Sequence, residues 1–292
     1  MIPRRSLGLD APLVSAVGYG GMHLSIQDRP TEAQAIRVIH AALDAGVTLI
    51  DTADVYCLDN QDIGHNERLV ARALQTWQGD RDQVIVATKG GVTRPAGRWE
   101  TDGRPQHLRA ACERSLEALG VERIDLYQLH APDPKVPLAE SVGALAELQQ
   151  EGKIRWVGLS NVSVPQIREA EAVVRVTSVQ NRLNPFFREA LAEGVVAYCA
   201  ERGMGFLAYS PTGGGRLNHK LPAHPVLRPM AARLGVTPHA LVLAWVLARS
   251  PAVIVIPSAR RVEHALDSTG AAELALSEAD LSAIMAAEFS RA

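Results

Sequence analysis

Eight short runs of apolar and β-branched residues recur along the chain, separated by polar segments of helical periodicity. The runs are VSAVGYG (14–20), VTLIDTA (47–53), QVIVATK (83–89), IDLYQLH (124–130), IRWVGLS (154–160), TSVQN (177–181), MGFLAYS (204–210) and AVIVIPS (252–258). They are nearly continuous rather than alternating, the pattern of parallel strands buried on both faces. Between them, spaced apolar positions predict helices over 31–45, 66–77, 105–119, 138–150, 164–173, 188–202 and 238–248. The first shows the logic. Thr31 can cap it, Ile36, Ile39, Ala42 and Leu43 share one face, and Gly46 stops it. Eight β/α alternations without a break in composition argue for one α/β domain over 1–292, a closed (β/α)8 TIM barrel, rather than an open doubly wound sheet. Upstream, RRSLG and PLVSAV flank LDAP, which suits a short N-terminal β-hairpin across the barrel bottom.

Composition narrows the function classes. A chain of 292 residues lies in the single-domain range for such a barrel, and 47% apolar with 21% charged residues allows a large core under a well-solvated surface. Lys and Arg total 30 against 32 Asp and Glu, a balance that gives no reason to expect nucleic acid or an anionic membrane as partner. Cys57, Cys112 and Cys199 are widely and irregularly spaced, which forms neither a disulfide framework nor a zinc site and points to a reducing, cytoplasmic compartment. MIPRRSLGLDAP carries two arginines with no apolar stretch behind them, so no signal peptide is expected. No run approaches the roughly 18 apolar residues that span a bilayer.

In such a barrel the chemistry lies where strands end. Asp51 and Tyr56 follow the second run, Lys89 ends the third and His130 ends the fourth. Taken singly they read as a helix cap, a loop aromatic, a rim charge and a structural histidine. Together, on three consecutive strand ends, they form a chemical set. A tyrosine titrates near pH ~10. A lysine ammonium ~4 Å away stabilises its phenolate by up to ~4 kcal/mol at an effective dielectric of ~20, or ~3 pKa units at most before desolvation opposes it. Asp51 would keep Lys89 charged and aimed, His130 could donate a hydrogen bond to a carbonyl oxygen, and Tyr56 would act as a general acid. A proton donor alone reduces nothing, so a hydride source is required.

The motifs DTADVY (51–56), ATK (87–89), DLYQLH (125–130), GLSN (158–161), VQNRLNP (179–185), AYSP (208–211) and IPSARR (256–261) follow in that order. With them the chain resembles the aldo-keto reductase family from about Leu7 to its last helix. The resemblance implies a (β/α)8 barrel that binds NADPH, less often NADH, in extended form and acts on a small-molecule carbonyl substrate. It places the family's catalytic tetrad on Asp51, Tyr56, Lys89 and His130, with Tyr56 as proton donor. It also implies that Ser160, Asn161 and Gln180 hold the nicotinamide carboxamide and that Tyr209 stacks on the ring. Ser210, Pro211, Thr212, Gly213, Gly214, Gly215 and Arg216 would follow the pyrophosphate. The glycines there let backbone N–H groups approach phosphate, and Arg216 adds charge.

Three stretches depart from simple readings. GYGGMH begins like a dinucleotide fingerprint, but His23 stands at the third glycine position and no acidic ribose ligand follows. In the family this segment lines the pocket, so Gly20, Gly21 and Met22 become candidate walls. At the adenosine end, Ser258, His264, Asp267 and Ser268 replace the family's usual residues, while Arg260 and Arg261 remain to pair with a 2′-phosphate, favouring NADPH. After Tyr56, CLDNQDI precedes GHNE, a longer loop than in relatives. Its Asp59, Asp62, His65 and Glu67 fail the calcium-loop pattern because Gln61 and Ile63 fall at ligand positions, so no metal is expected. There Asn66 is read as the cap of the next helix, with Glu67 in its first turn. Trp99 and the APDP loop after His130 are candidates for shaping the substrate entrance. A nicotinamide-binding redox sensor and a sugar or alcohol dehydrogenase working in reverse are the competing functions; the intact tetrad favours a reductase over a sensor.

Overall fold

In the computed structural model, which describes residues 2–292, the chain opens with the expected hairpin. Strand β1 (Arg4–Ser6) pairs antiparallel with β2 (Leu13–Ser15). Leu7 and Val14 are fully buried in a cluster with Leu49, Ile85, Ala87, Leu126, Leu207 and Ile254, so the hairpin plugs one end of the barrel with apolar side chains.

The barrel itself comprises β3 (Tyr19–Gly20), β4 (Leu49–Asp51) and β5 (Ile85–Gly90). After β5 a small antiparallel pair, β6 (Val92–Thr93) and β7 (Glu100–Thr101), projects from the rim. The barrel resumes with β8 (Ile124–Leu129), β9 (Ile154–Ser160), β10 (Val176–Arg182), β11 (Gly205–Tyr209) and β12 (Val253–Ile256). These eight strands lie side by side in the order β12, β11, β10, β9, β8, β5, β4, β3 and pair in parallel. A parallel bridge from Val17 to Val255 joins the ends, reinforced by the Gly18 N–H to the Val255 carbonyl (2.8 Å) and the Gly20 N–H to the Pro257 carbonyl (2.9 Å). The run at 14–20, read as one strand, is therefore divided between the hairpin and the barrel seam.

The outer layer carries helix in each of the predicted spans and has four α-helices besides. It contains α1 (Glu32–Asp44), α2 (His65–Thr76), α3 (Pro105–Leu119), α4 (Leu138–Gln150), α5 (Val164–Glu171), α6 (Glu189–Ala192) and α7 (Val195–Arg202). Then come α8 (Gly214–Leu217), α9 (Leu227–Leu234), α10 (Pro238–Leu247), α11 (Val262–Gly270) and α12 (Glu278–Ala286). The helix expected over 188–202 is broken between α6 and α7, where Gly194 takes a left-handed φ of 76°. Thr31 caps α1 by accepting from the Gln34 N–H, as read from sequence. Among the described residues, no single helix is long and apolar enough to cross a membrane, and no three His, Cys, Asp or Glu side chains converge as a metal ion requires.

Register decides what meets at the open end. Asp51 lies opposite Gly20 and Ala87, Lys89 opposite Gln128, and Gln180 opposite Ser160 and Leu207. Five polar residues, Asp51, Lys89, Gln128, Ser160 and Gln180, are thus carried to this end of the barrel.

Candidate active site

Lys89 is fully buried near the end of β5, and its ammonium uses all three of its donors. They go to Asp51 Oδ2 (2.6 Å), the Thr52 carbonyl (2.8 Å) and the Tyr56 hydroxyl oxygen (2.9 Å). Asp51 Oδ1 accepts from Gln180 Nε2 (2.7 Å) and Gln128 Nε2 (3.3 Å). Every polar atom of the ion pair is therefore satisfied, the condition under which a buried charge pair is tolerated. The His130 ring stands edge-on to Tyr56 with centroids 5.9 Å apart, and its Nδ1 is buried without a hydrogen-bond partner.

The electrostatics differ from the sequence expectation at Tyr56. Burial first, then the Asp51 carboxylate, push its phenol well above the ordinary range. The Lys89 charge does not prevail because Asp51 offsets its field and desolvation penalises only the phenolate. Tyr56 consequently keeps its proton through neutral pH. Burial, aided by the Lys89 charge, holds His130 well below its usual value, so the ring is neutral with one N–H to donate. Burial also draws Lys89 down, while the Asp51 ion pair opposes that. The result is a protonated phenol beside a neutral imidazole, two hydrogen-bond donors able to converge on one acceptor oxygen.

Asp51, Tyr56 and His130 line a cavity of about 480 Å³, and Lys89 lies behind them. Of the residues expected at a cofactor, Ser160, Asn161, Gln180, Tyr209, Ser210, Pro211, Thr212, Gly214 and Ser258 line the same cavity. They are tied to one another. Tyr209 donates to Asn161 Oδ1 (2.8 Å), and Asn161 Nδ2 donates to the His130 carbonyl (3.0 Å) and Ser160 Oγ (3.1 Å). Asn161 and Ser210 hold left-handed φ values of 59° and 47°, rare for residues with side chains and concentrated at functional sites. Gly213, Gly215 and Arg216 belong to the same loop without lining the cavity, and Arg216 donates to the Arg291 carbonyl (2.8 Å). Arg260, His264, Asp267 and Ser268 lie outside it. Asp267 accepts from Thr237 (2.7 Å), Ser268 donates back to the His264 carbonyl (2.9 Å), and Arg260 donates to the Gln27 carbonyl (3.4 Å).

Gly20, Met22 and Trp99 line the cavity, whereas Gly21 stands just behind it. A Cβ on Gly21 would fall 2.3 Å from Asn66 Oδ1. Asn66 does not cap α2; the preceding Gly64 is the cap residue. Being the second helical residue, Asn66 faces inward, where its Nδ2 donates to the Gly21 carbonyl (2.9 Å) and Ser25 Oγ (2.7 Å) and its Oδ1 accepts from Thr52 (2.6 Å). Glu67 is in the first turn as read, fully buried and accepting from Thr88 (2.6 Å). Trp99 is edge-on to Tyr56 and His130 at 6.4 and 6.2 Å, and Ala131 of the APDP loop also lines the cavity.

Sequence reasoning passed over several residues. Gln128 holds Asp51, and Asn184 donates to the Ser210 carbonyl (2.8 Å) and so supports the strained loop. Gln128, Asn184 and the cavity-wall residue Arg182 stand in the motifs DLYQLH and VQNRLNP, which mark them as polar positions without showing what they hold. His23 and Asn218, also on the cavity wall, lie outside those motifs.

The match to known proteins is extensive. The model of the Aldo/keto reductase family matches residues 16–288. A probable aldo-keto reductase 1 from Glycine max is 36% identical, over 96% of this chain and 87% of its own length. Among solved structures, a thermostable aldo-keto reductase, Tm1743, in complex with the inhibitor epalrestat superposes with a TM-score of 0.84 at 28% identity, covering 97% of this chain and 99% of that one. An aldo/keto reductase from Klebsiella pneumoniae in complex with NADP and acetate gives 0.81 at 27% identity, covering 97% and 94%. With a satisfied Asp–Lys pair holding a protonated tyrosine at the mouth of an eight-stranded parallel barrel, the chain belongs to the aldo/keto reductase family of oxidoreductases.

Proposed function

We propose that the protein reduces an aldehyde or ketone to an alcohol with NADPH, and that Tyr56 gives its proton to the carbonyl oxygen. The observation that carries this reading is the threefold donation of Lys89, which ends on the Tyr56 oxygen at 2.9 Å. The phenol proton is thereby left free for an acceptor in the cavity. As that proton leaves, negative charge grows on an oxygen already held by a cation, so Lys89 favours the transition state over the ground state. Asp51 keeps the ammonium charged and aimed. The neutral His130 ring donates its N–H to the same carbonyl oxygen and fixes the substrate's orientation.

The residues around the cavity fit a nicotinamide cofactor. Asn161 and Ser210 with their left-handed backbone, and Gly214 with a φ of 70°, stand on the wall of the same cavity as Tyr56, where backbone and small polar side chains can approach a cofactor closely. Ser160, Asn161 and the free oxygen of Gln180 would hold the carboxamide, Tyr209 the ring face, and the 210–216 loop the pyrophosphate. Arg260 and its neighbour Arg261 would supply the positive charge for a 2′-phosphate. The bound cofactor supplies the hydride that reduces the carbonyl carbon.

The test is NADPH oxidation followed by absorbance across a panel of aliphatic, aryl and open-chain sugar aldehydes, alongside cofactor binding by fluorescence. Binding with turnover on the panel is expected. NADPH binding with no turnover on any member would favour a regulatory, nicotinamide-sensing role, and failure to bind NADPH would remove the cofactor assignment.

A further inference from the structure

Arg94 is 6% exposed, has no ion-pair partner among the described residues, and leaves Nε and Nη1 without hydrogen bonds. An uncompensated buried guanidinium is costly, and an apolar side chain of similar volume is usually tolerated in its place. The geometry supplies a role for the charge. The guanidinium carbon lies 3.9 Å from the centre of the Trp99 ring. Trp99 itself is 48% exposed at the rim, in edge-to-face contact with the Tyr56 and His130 rings.

Arg94 is in turn gripped by the long loop after Tyr56. Its Nη2 donates to the Leu58 carbonyl (3.2 Å), its backbone N–H donates to Asn60 Oδ1 (2.7 Å), and its carbonyl accepts from the Asn60 N–H (3.1 Å). The loop is anchored by Asp62, which accepts from Arg29 (2.5 Å) and from the Leu58 N–H (3.4 Å). The loop after Tyr56 is therefore connected, through Arg94, to the Trp99 wall of the cavity.

We propose that Arg94 is a positioning residue. Braced by loop 57–64, it clamps the Trp99 indole against the cavity mouth and so sets the preference for carbonyl substrates bearing a flat apolar group. The clamp is a cation–π contact on a desolvated cation, the stronger kind. Its effect on specificity rests on the reductase reading above, but the clamp itself can be tested without turnover.

The experiment compares wild type, Arg94→Met, Arg94→Lys, Trp99→Phe and the double variant Arg94→Met/Trp99→Phe. The emission lost in Trp99→Phe isolates Trp99 from Trp77, Trp156 and Trp245. In Arg94→Met that component is expected to become more accessible to acrylamide, with no loss of thermal stability; Arg94→Lys should recover part of the protection. With benzaldehyde, KM in Arg94→Met is expected to rise about 5- to 30-fold, the range of a desolvated cation–π contact, while kcat falls far less. In the Trp99→Phe background, where the smaller ring keeps only part of the contact, the same substitution should raise KM less. Unchanged quenching in Arg94→Met, or an equal KM increase with and without Trp99, would overturn the proposal. Changed quenching with no turnover by any variant would uphold the clamp and count against the reductase reading alone.

Discussion

Lys89 and Asp51 form a pair whose side chains are 0% and 3% exposed, so neither partner can turn to solvent if the other is removed. Lys89→Met would leave the Asp51 carboxylate with only the amide N–H groups of Gln128 and Gln180. We expect a loss of about 3–5 kcal/mol in urea unfolding, the scale for breaking one half of a buried pair. Adding Asp51→Asn should recover part of that loss, because the stranded charge goes with it. Additive losses would mean the two residues are not coupled as described. The four strand-end residues were legible in sequence because the eight runs mark where strands stop. Gln128 was not, because its contact with Asp51 spans 77 residues and depends on register between β4, β5 and β8.

At the scale of elements, the end of β4 and the start of α2 are joined through Asn66, and Gly21 is the space that lets it in. Gly21→Ala puts a methyl group 2.3 Å from Asn66 Oδ1, so the amide must move and release Thr52, Gly21 and Ser25. The expected cost is about 1–3 kcal/mol by thermal or denaturant unfolding, as for other overpacked sites. Unchanged stability would show that Asn66 is free to relocate. Periodicity revealed the strands and helices but not this joint, nor the break at Gly194. A single glycine costs a helix only ~1 kcal/mol, and whether the helix runs through it is decided by packing. At the adenosine end the motif gives only the positions of Asp267 and Ser268; that Asp267 also accepts from Thr237 and that Ser268 donates to the His264 carbonyl depends on how the helices pack.

For the whole molecule, the interior carries a second set of carboxyl groups. Asp54 is 1% exposed with neither oxygen hydrogen-bonded, and Glu67 is fully buried. Burial first, then the Glu67 charge, push Asp54 well above the ordinary carboxylate range, and burial raises Glu67 as well. The folded state therefore holds the Asp54 proton more tightly than the unfolded chain, whose value is ~3.9. That contribution to stability is fully present below the unfolded value and is lost as pH rises through the folded one. Tm of wild type should therefore fall as pH rises from ~4 toward the folded-state value of Asp54, and Asp54→Asn should flatten that fall. An identical slope in the variant would assign the pH dependence to other groups.

Single-turnover NADPH oxidation in wild type and Tyr56→Phe, with NADPH affinity measured in parallel on the same samples, asks whether the Lys89-held phenol of Tyr56 protonates the carbonyl oxygen. The rate in Tyr56→Phe should be lower by at least ~100-fold, the scale of general acid catalysis, with cofactor affinity essentially retained. A Tyr56→Phe enzyme that reduced carbonyls at a rate close to wild type would rule out that role for the phenol.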